Sequence, residues 1–314
     1  MIMHKTSPKG ILGFPVTPMK ENGEIDTDAF VMNVEFLLES GLDAIFPACG
    51  AGEYTSLDTQ EYEQLVKLCV ETVAGKVPVY TGVGGNIQEA KKRAEISEEQ
   101  GADGYLIMPP YLIKGSQNGL YEYFAQIAKT TDLNAIVYQR NNAILSADTL
   151  ARLAQIEQVV GFKDGDGNME KNSEFSHRFT GEIDFLNGIP MAEVTMAVYM
   201  PLGYESYSSA ISNYIPHVSR KYFEALKSGD KETAKEIYED VILPLNRIRV
   251  KGEGYAVSLI KAGMEIVGLP VGQTVRAPID AVSPEHFKEM EAVLKTVLEK
   301  YPNEIYEKYT AKIT

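Results

Sequence analysis

Short apolar runs alternate with amphipathic stretches along most of the chain. The runs cover residues 11–16, 43–47, 77–81, 104–108, 134–138, 159–163, 184–186 and, more weakly, 204–208. They are rich in β-branched and aromatic side chains and too continuous for strands with one wet face. Strands of a parallel sheet covered by helices on both sides read this way. Between the runs the period changes: Tyr62, Leu65, Val66, Cys69, Val70 and Val73 fall on one helical stripe. Asp58 with Glu61 three residues later predicts an N-cap and its capping-box partner. Gly41 and Gly101 each stand where a helix must end in positive φ directly before a buried strand.

Eight runs with intervening helices in about 225 residues predict an α/β chain folded as a (β/α)8 TIM barrel. An open doubly wound sheet would carry a glycine-rich phosphate loop after its first strand, and Pro15-Val16-Thr17-Pro18 is not one. Beyond residue 216 the pattern is wholly helical, over residues 219–227, 231–249, 254–267 and 284–299. The last stretch places Phe287, Met290, Leu294, Val297 and Leu298 on one stripe. The division expected is a barrel over residues 1–228 and a C-terminal helical extension over 229–314, packed on it as a single structural unit.

Composition narrows the class of partner. With 314 residues, 44% of them apolar and 24% charged, the chain suits a folded globular domain. No uninterrupted apolar run reaches membrane-spanning length, and Met1-Ile2-Met3-His4-Lys5-Thr6 has no apolar core of a secretory leader. A net charge of −14 without a Lys/Arg cluster argues against nucleic acid and anionic membranes as partners. Two cysteines build no disulfide framework, so a cytoplasmic location is expected. Cys69 sits on the apolar stripe as a core residue, whereas Cys49 adjoins a glycine-rich loop without a histidine nearby in sequence.

In a (β/α)8 barrel, reactive groups stand at the C-terminal ends of strands. Lys163 closes the run Val159-Val160-Gly161-Phe162. There its ammonium would sit at the barrel mouth above apolar walls, and a neutral amine can attack a ketone to form a Schiff base. Lowering its pKa from about 10.4 to about 7 takes roughly 4–5 kcal/mol, within reach of burial. The alternative is a strand-end lysine snorkelling to solvent or paired with Asp164. Tyr138 closes the neighbouring strand, close enough to move protons for the lysine or merely to cap the core. Gly50-Ala51-Gly52 could present backbone N–H groups to a carboxylate, or serve only as a tight turn. Gly82-Val83-Gly84-Gly85 reads as a turn. Asp164-Gly165-Asp166-Gly167-Asn168 fails as a calcium loop, because Met169 and Phe175 fill its glycine and glutamate positions. His4, His177, His217 and His286 show no metal spacing, so no metal is expected.

At these positions nearly the whole chain resembles the dihydrodipicolinate synthase and N-acetylneuraminate lyase superfamily, Schiff-base barrels acting on 2-oxo acids. The carrying segments are Gly13-Phe14-Pro15-Val16-Thr17, Gly50-Ala51-Gly52-Glu53-Tyr54-Thr55-Ser56-Leu57, Tyr138-Gln139-Arg140-Asn141-Asn142 and Gly161-Phe162-Lys163-Asp164-Gly165. Tyr207-Ser208-Ser209-Ala210, Gly254-Tyr255-Ala256-Val257-Ser258 and Val275-Arg276-Ala277-Pro278 resemble its dehydratase branch in particular.

The resemblance implies a covalent imine on Lys163 with no other cofactor, Tyr138 as the proton-handling phenol, and the substrate's 2-oxo carboxylate on Gly50, Ala51 and Gly52. It implies substrate contacts at Arg140, Gly188, Ser208 and Ser209, with Arg140 offering a fork to a second carboxylate. The implied reaction is dehydration and decarboxylation of a six-carbon keto-deoxy sugar diacid to 2,5-dioxopentanoate by a homodimer or homotetramer. Ala51 stands where relatives usually have threonine, Asn141 where the branch usually has aspartate, and Met191 where it usually has threonine. The alternatives are a synthase or another pyruvate-dependent aldolase of the superfamily, and a sugar-acid sensor without activity. Synthases use a hydroxyl relay whose matching positions here are Gly50 and Leu112, neither with a hydroxyl. Retention of both Lys163 and Tyr138 speaks against a sensor.

Overall fold

Eight parallel strands form one sheet, in the order β2-β1-β8-β7-β6-β5-β4-β3. They are β1 (Gly10–Gly13), β2 (Ala44–Ile45), β3 (Tyr80–Gly84), β4 (Gly104–Met108), β5 (Asn134–Gln139), β6 (Val159–Asp164), β7 (Asp184–Asn187) and β8 (Ser206–Ser209). A parallel bridge between Ile45 and Val79 joins the two ends, so the sheet closes into a barrel. The computed structural model describes residues 6–310, and His4 and the other opening residues read for a leader, Thr6 excepted, lie outside them.

The intervening helices are α1 (Thr27–Glu39), α2 (Thr59–Val73), α3 (Ile87–Glu99), α4 (Gln117–Ala128), α5 (Ala147–Ala154), α6 (Met169–Phe179), α7 (Glu193–Tyr199) and α8 (Pro216–Ser228). Local signals start and stop them. Both halves of the Asp58–Glu61 capping box form at α2. Gly41 and Gly101 adopt φ of 75° and 81° after α1 and α3. Two layers of core result. Leu12, Phe14, Phe46, Tyr80, Leu106, Ile136 and Leu186 fill the barrel interior, and a larger cluster packs the outer strand faces against the helices.

The C-terminal part contains α9 (Lys231–Ile237), α10 (Leu243–Arg249), α11 (Tyr255–Ile266), α12 (Pro284–Lys300) and α13 (Ile305–Thr310). Met290, Leu294 and Val297 of α12 are buried, while Phe287 and Leu298 are partly covered. Among the described residues, no helix is long and apolar enough to cross a membrane.

Three expectations need correction. The single helix over 231–249 is broken between α9 and α10 by a wider π-type turn at Tyr238–Ile242. Pro244 has no N–H to donate to the carbonyl four residues back, and the ladder is displaced there. The expected turn at Gly82-Val83-Gly84 is instead the end of β3, paired with Leu106, Ile107 and Met108 of β4. The ladder overrides the turn preference of the glycines. The eighth strand begins at Ser206, not Tyr204, whose ring is buried against Phe185 and Tyr199.

Candidate active site

A cavity of about 520 Å³ opens at the C-terminal ends of the strands, walled partly by the barrel and partly by α10 and α11. Lys163, Tyr138, Gly50, Ala51, Arg140, Gly188, Ser208 and Ser209 line it, whereas Gly52 does not. Ala51, Asn141 and Met191, the three departures from related sequences, also line it.

A register shift turns Lys163 inward. At the start of β6 the pairing with β5 slips, so that Ala135 faces Val159 but Ile136 faces Gly161. Val160 and Gly161 both sit against the interior, and the alternation restarts with Phe162 outward, Lys163 inward and Asp164 outward. Lys163 is only 4% exposed. Its Nζ lies 4.2 Å from the ring centre of Phe14 and 4.6 Å from that of Tyr138.

Burial lowers the Lys163 amine to about 7, and the positive charge of Arg140 pushes the same way. Cys49 shares the barrel interior, and its thiol is pushed up to about 12 by burial, so at neutral pH it supplies no anion to hold the proton. Asp164 is not the lysine's partner. Its carboxylate accepts from Gln139 Nε2 at 2.9 Å, Asn172 Nδ2 at 2.8 Å, the Tyr199 hydroxyl at 2.5 Å and the amides of Asp166 and Gly167. Lys163 makes no ion pair among the described residues.

Tyr138 stands beside Lys163 in the β5–β6 register. Its hydroxyl donates to the Gly188 carbonyl at 3.0 Å and accepts from Arg140 Nη1 at 3.2 Å. Burial raises the phenol, and Arg140 partly offsets this. Gly188 must be glycine for the site to close: a Cβ there would lie 2.5 Å from Lys163 Cε and Cγ. Its amide donates to the Asp164 carbonyl at 2.7 Å, so both backbone groups of Gly188 are engaged.

After β2 the chain makes a turn in which Ala48 and Glu53 take φ of 51° and 54°. Among the described residues the amides of Gly50, Ala51 and Gly52 meet no acceptor, and the first two residues line the cavity. Gly52 lies behind them, its carbonyl accepting from the Thr17 hydroxyl at 2.8 Å. The turn is held from below by Glu53. Its buried carboxylate accepts from Lys261 Nζ at 2.6 Å and from the Arg276 amide at 2.9 Å. The Arg276 guanidinium bonds to Glu61, Ser56 and Gly23. No spacing pattern in the sequence points to a pairing of Glu53 with Lys261.

The two serines at the end of β8 separate. Ser208 pairs with the interior residue Leu12, and among the described residues its hydroxyl makes only a long 3.4 Å contact to the Asn187 carbonyl. The Ser209 hydroxyl points to the helices, donating to buried Glu193 at 2.5 Å and accepting from Ser212. Ser208 therefore keeps hydrogen-bonding capacity toward the cavity and Ser209 has little. No group of three or more His, Cys, Asp or Glu that could hold a metal ion occurs among the described residues.

A buried amine held near neutrality, a phenol beside it and a turn of free amides lining the same cavity suit imine chemistry on a 2-oxo acid. The comparisons agree in class. A family model described as the dihydrodipicolinate synthetase family matches residues 7–297. The chain is 57% identical to a probable 5-dehydro-4-deoxyglucarate dehydratase of Oceanobacillus iheyensis over 96% of this chain and 99% of that one. It is 38% identical to the 5-dehydro-4-deoxyglucarate dehydratase of Pseudomonas putida, over 91% and 95% of the two chains. Among solved structures, a dihydrodipicolinate synthase from Oceanobacillus iheyensis superimposes with a TM-score of 0.85 at 29% identity, covering 92% and 96%. With a match of this extent and a strand-end lysine and tyrosine adjoining inside an eight-stranded barrel, the chain belongs to the dihydrodipicolinate synthetase family.

Proposed function

We propose that this protein dehydrates and decarboxylates 5-dehydro-4-deoxyglucarate to 2,5-dioxopentanoate, as a class I Schiff-base lyase of sugar-diacid catabolism. The observation that carries the reading is Lys163: buried, without a carboxylate partner among the described residues, and held near neutrality beside Tyr138. The dehydratase names of relatives at 57% and 38% identity support the branch.

In the reaction we envisage, the Lys163 amine condenses with the ketone and expels water. The iminium acidifies the adjacent CH2, which loses a proton, and the β-hydroxyl departs as water with a proton from Tyr138 or a bound water. The conjugated iminium then accepts the electron pair released when the far carboxylate leaves as carbon dioxide. Tautomerisation and hydrolysis free the product and the amine, for a net loss of one water and one carbon dioxide. The lysine is the electron sink, so the scheme uses no cofactor. The near carboxylate would rest on the amides of Gly50 and Ala51, with Gly52 and Gly188 shaping the pocket. Arg140 and Ser208 would hold the distal end, and Ser209 would brace the β8 terminus through Glu193.

A synthase would need hydroxyls that Gly50 and Leu112 do not have. We further infer a cytoplasmic homodimer or homotetramer. Tyr111 and Leu112, which line the cavity, are 74% and 77% exposed, and the adjoining Ile113 is 73% exposed, an apolar edge that a second copy would cover. We treat residues 1–228 and 229–314 as one structural unit, since both wall the cavity. The test is turnover. Incubation with 5-dehydro-4-deoxyglucarate should release carbon dioxide and 2,5-dioxopentanoate, and pyruvate with aspartate semialdehyde should not condense. The reverse outcome would assign the protein to the synthase branch.

A further inference from the structure

The chain carries 44 acidic residues, yet none lines the active-site cavity, which is lined by Lys163, Arg140 and Arg249. Arg249 comes from the last turn of α10, outside the barrel. It is half-buried, and among the described residues its one polar contact is its Nε donating to Asn246 Oδ1 at 3.0 Å. Among the described residues the Arg140 guanidinium bonds only to the Tyr138 hydroxyl. Two arginines thus line one cavity, and among the described residues neither pairs with a carboxylate. Burial and the nearby charge of Arg140 both lower the proton affinity of Arg249. An arginine ending a helix is favoured by the helix dipole. That effect needs no burial in a cavity and leaves four of the five guanidinium N–H donors without a partner.

We infer that Arg249 and Arg140 together form the seat for the second carboxylate of a 2-oxo diacid, so that α10 of the C-terminal extension selects the distal end of the substrate. The inference rests on the proposed reading only in taking Lys163 to hold the 2-oxo end. Before turnover the two guanidiniums anchor the diacid. During decarboxylation the carboxylate leaves as a neutral molecule, so these contacts are weaker in that transition state than in the bound ground state. Removing Arg249 should therefore raise KM for the diacid more than it lowers kcat.

The test uses borohydride trapping with three probes: 2-oxoadipate, 2-oxohexanoate of the same length without the far carboxylate, and pyruvate. Wild-type protein should be trapped at a lower concentration of 2-oxoadipate than of 2-oxohexanoate. Arg249→Ala should shrink that preference about tenfold or more, the weight of one charge-assisted contact, and Arg249→Lys should restore part of it. Half-trapping by pyruvate should stay within about twofold of wild type, showing an intact Lys163 pocket. No preference for the diacid in wild type would overturn the inference. So would an unchanged preference in Arg249→Ala, or an equal loss with all three probes. A wild-type protein that prefers 2-oxoadipate but fails to turn over 5-dehydro-4-deoxyglucarate would count against the proposed reaction and not against this seat.

Discussion

Lys261 on α11 and Glu53 in the turn after β2, 208 positions apart, form a buried ion pair of 2.6 Å. The ammonium also donates to the Thr274 carbonyl at 2.6 Å, and the second carboxylate oxygen takes the Arg276 amide. The helical extension thereby braces the turn whose Gly50 and Ala51 line the cavity. Truncating one partner leaves the other charged and buried, which costs about 3–5 kcal/mol. Lys261→Met should lower the thermal midpoint clearly and raise KM for the 2-oxo acid. Calorimetry beside steady-state kinetics reads both, and an unchanged midpoint would mean that the pair contributes little.

Lys163 is expected to form the imine. Borohydride with pyruvate or substrate should add mass to the peptide containing Lys163, and Lys163→Met should abolish both labelling and turnover. A label on any other lysine would refute the assignment.

The depressed amine also predicts a pH-dependent stability. The folded value of about 7 lies below the ordinary lysine value of 10.5. Below about 7 both states are protonated and the folded protein carries the full cost of a buried ammonium. As pH rises from 7 toward 10.5, the unfolded state binds more protons than the folded one, and that cost disappears. Lys163→Met should therefore be more stable than wild type by about 3–5 kcal/mol below neutrality, with the gap closing by pH 10. Denaturant melts of the two proteins at pH 6, 8 and 10 measure it. The same amine predicts an acid limb near pH 7 in kcat/KM.

Tyr138→Phe removes a proton carrier while keeping the ring that packs beside Lys163. The expected result is a fall in kcat of about 10²–10⁴-fold with little change in the concentration that half-traps pyruvate. A kcat within a few-fold of wild type would leave Tyr138 a packing residue.

Arg140→Ala removes the guanidinium that donates to Tyr138 at 3.2 Å and faces the cavity. It should raise KM for the diacid by about 10-fold or more. The phenol also loses a positive neighbour, so any alkaline limb owed to Tyr138 should move to higher pH. A pH–rate profile that matches wild type in both respects would show that Arg140 acts on neither group.

The barrel, its helices and the strand-end positions of Lys163 and Tyr138 were legible in the sequence because each is written locally. A buried parallel strand is a short apolar run, a covering helix is a stripe, and a reactive side chain stands where the run stops. Folding in three dimensions decided what no spacing encodes. The register slip between Ala135 and Ile136 turns Lys163 to the inside, and pairing with Leu12 separates Ser208 from Ser209. Asp164 goes to Gln139, Asn172 and Tyr199 rather than to its neighbour Lys163, because adjacent strand residues point to opposite faces. The Glu53–Lys261 pair and the pairing of Arg140 with Arg249 in one cavity join segments more than a hundred residues apart. Contacts of that kind leave no periodic trace along the chain, since only packing the extension onto the barrel brings the partners together.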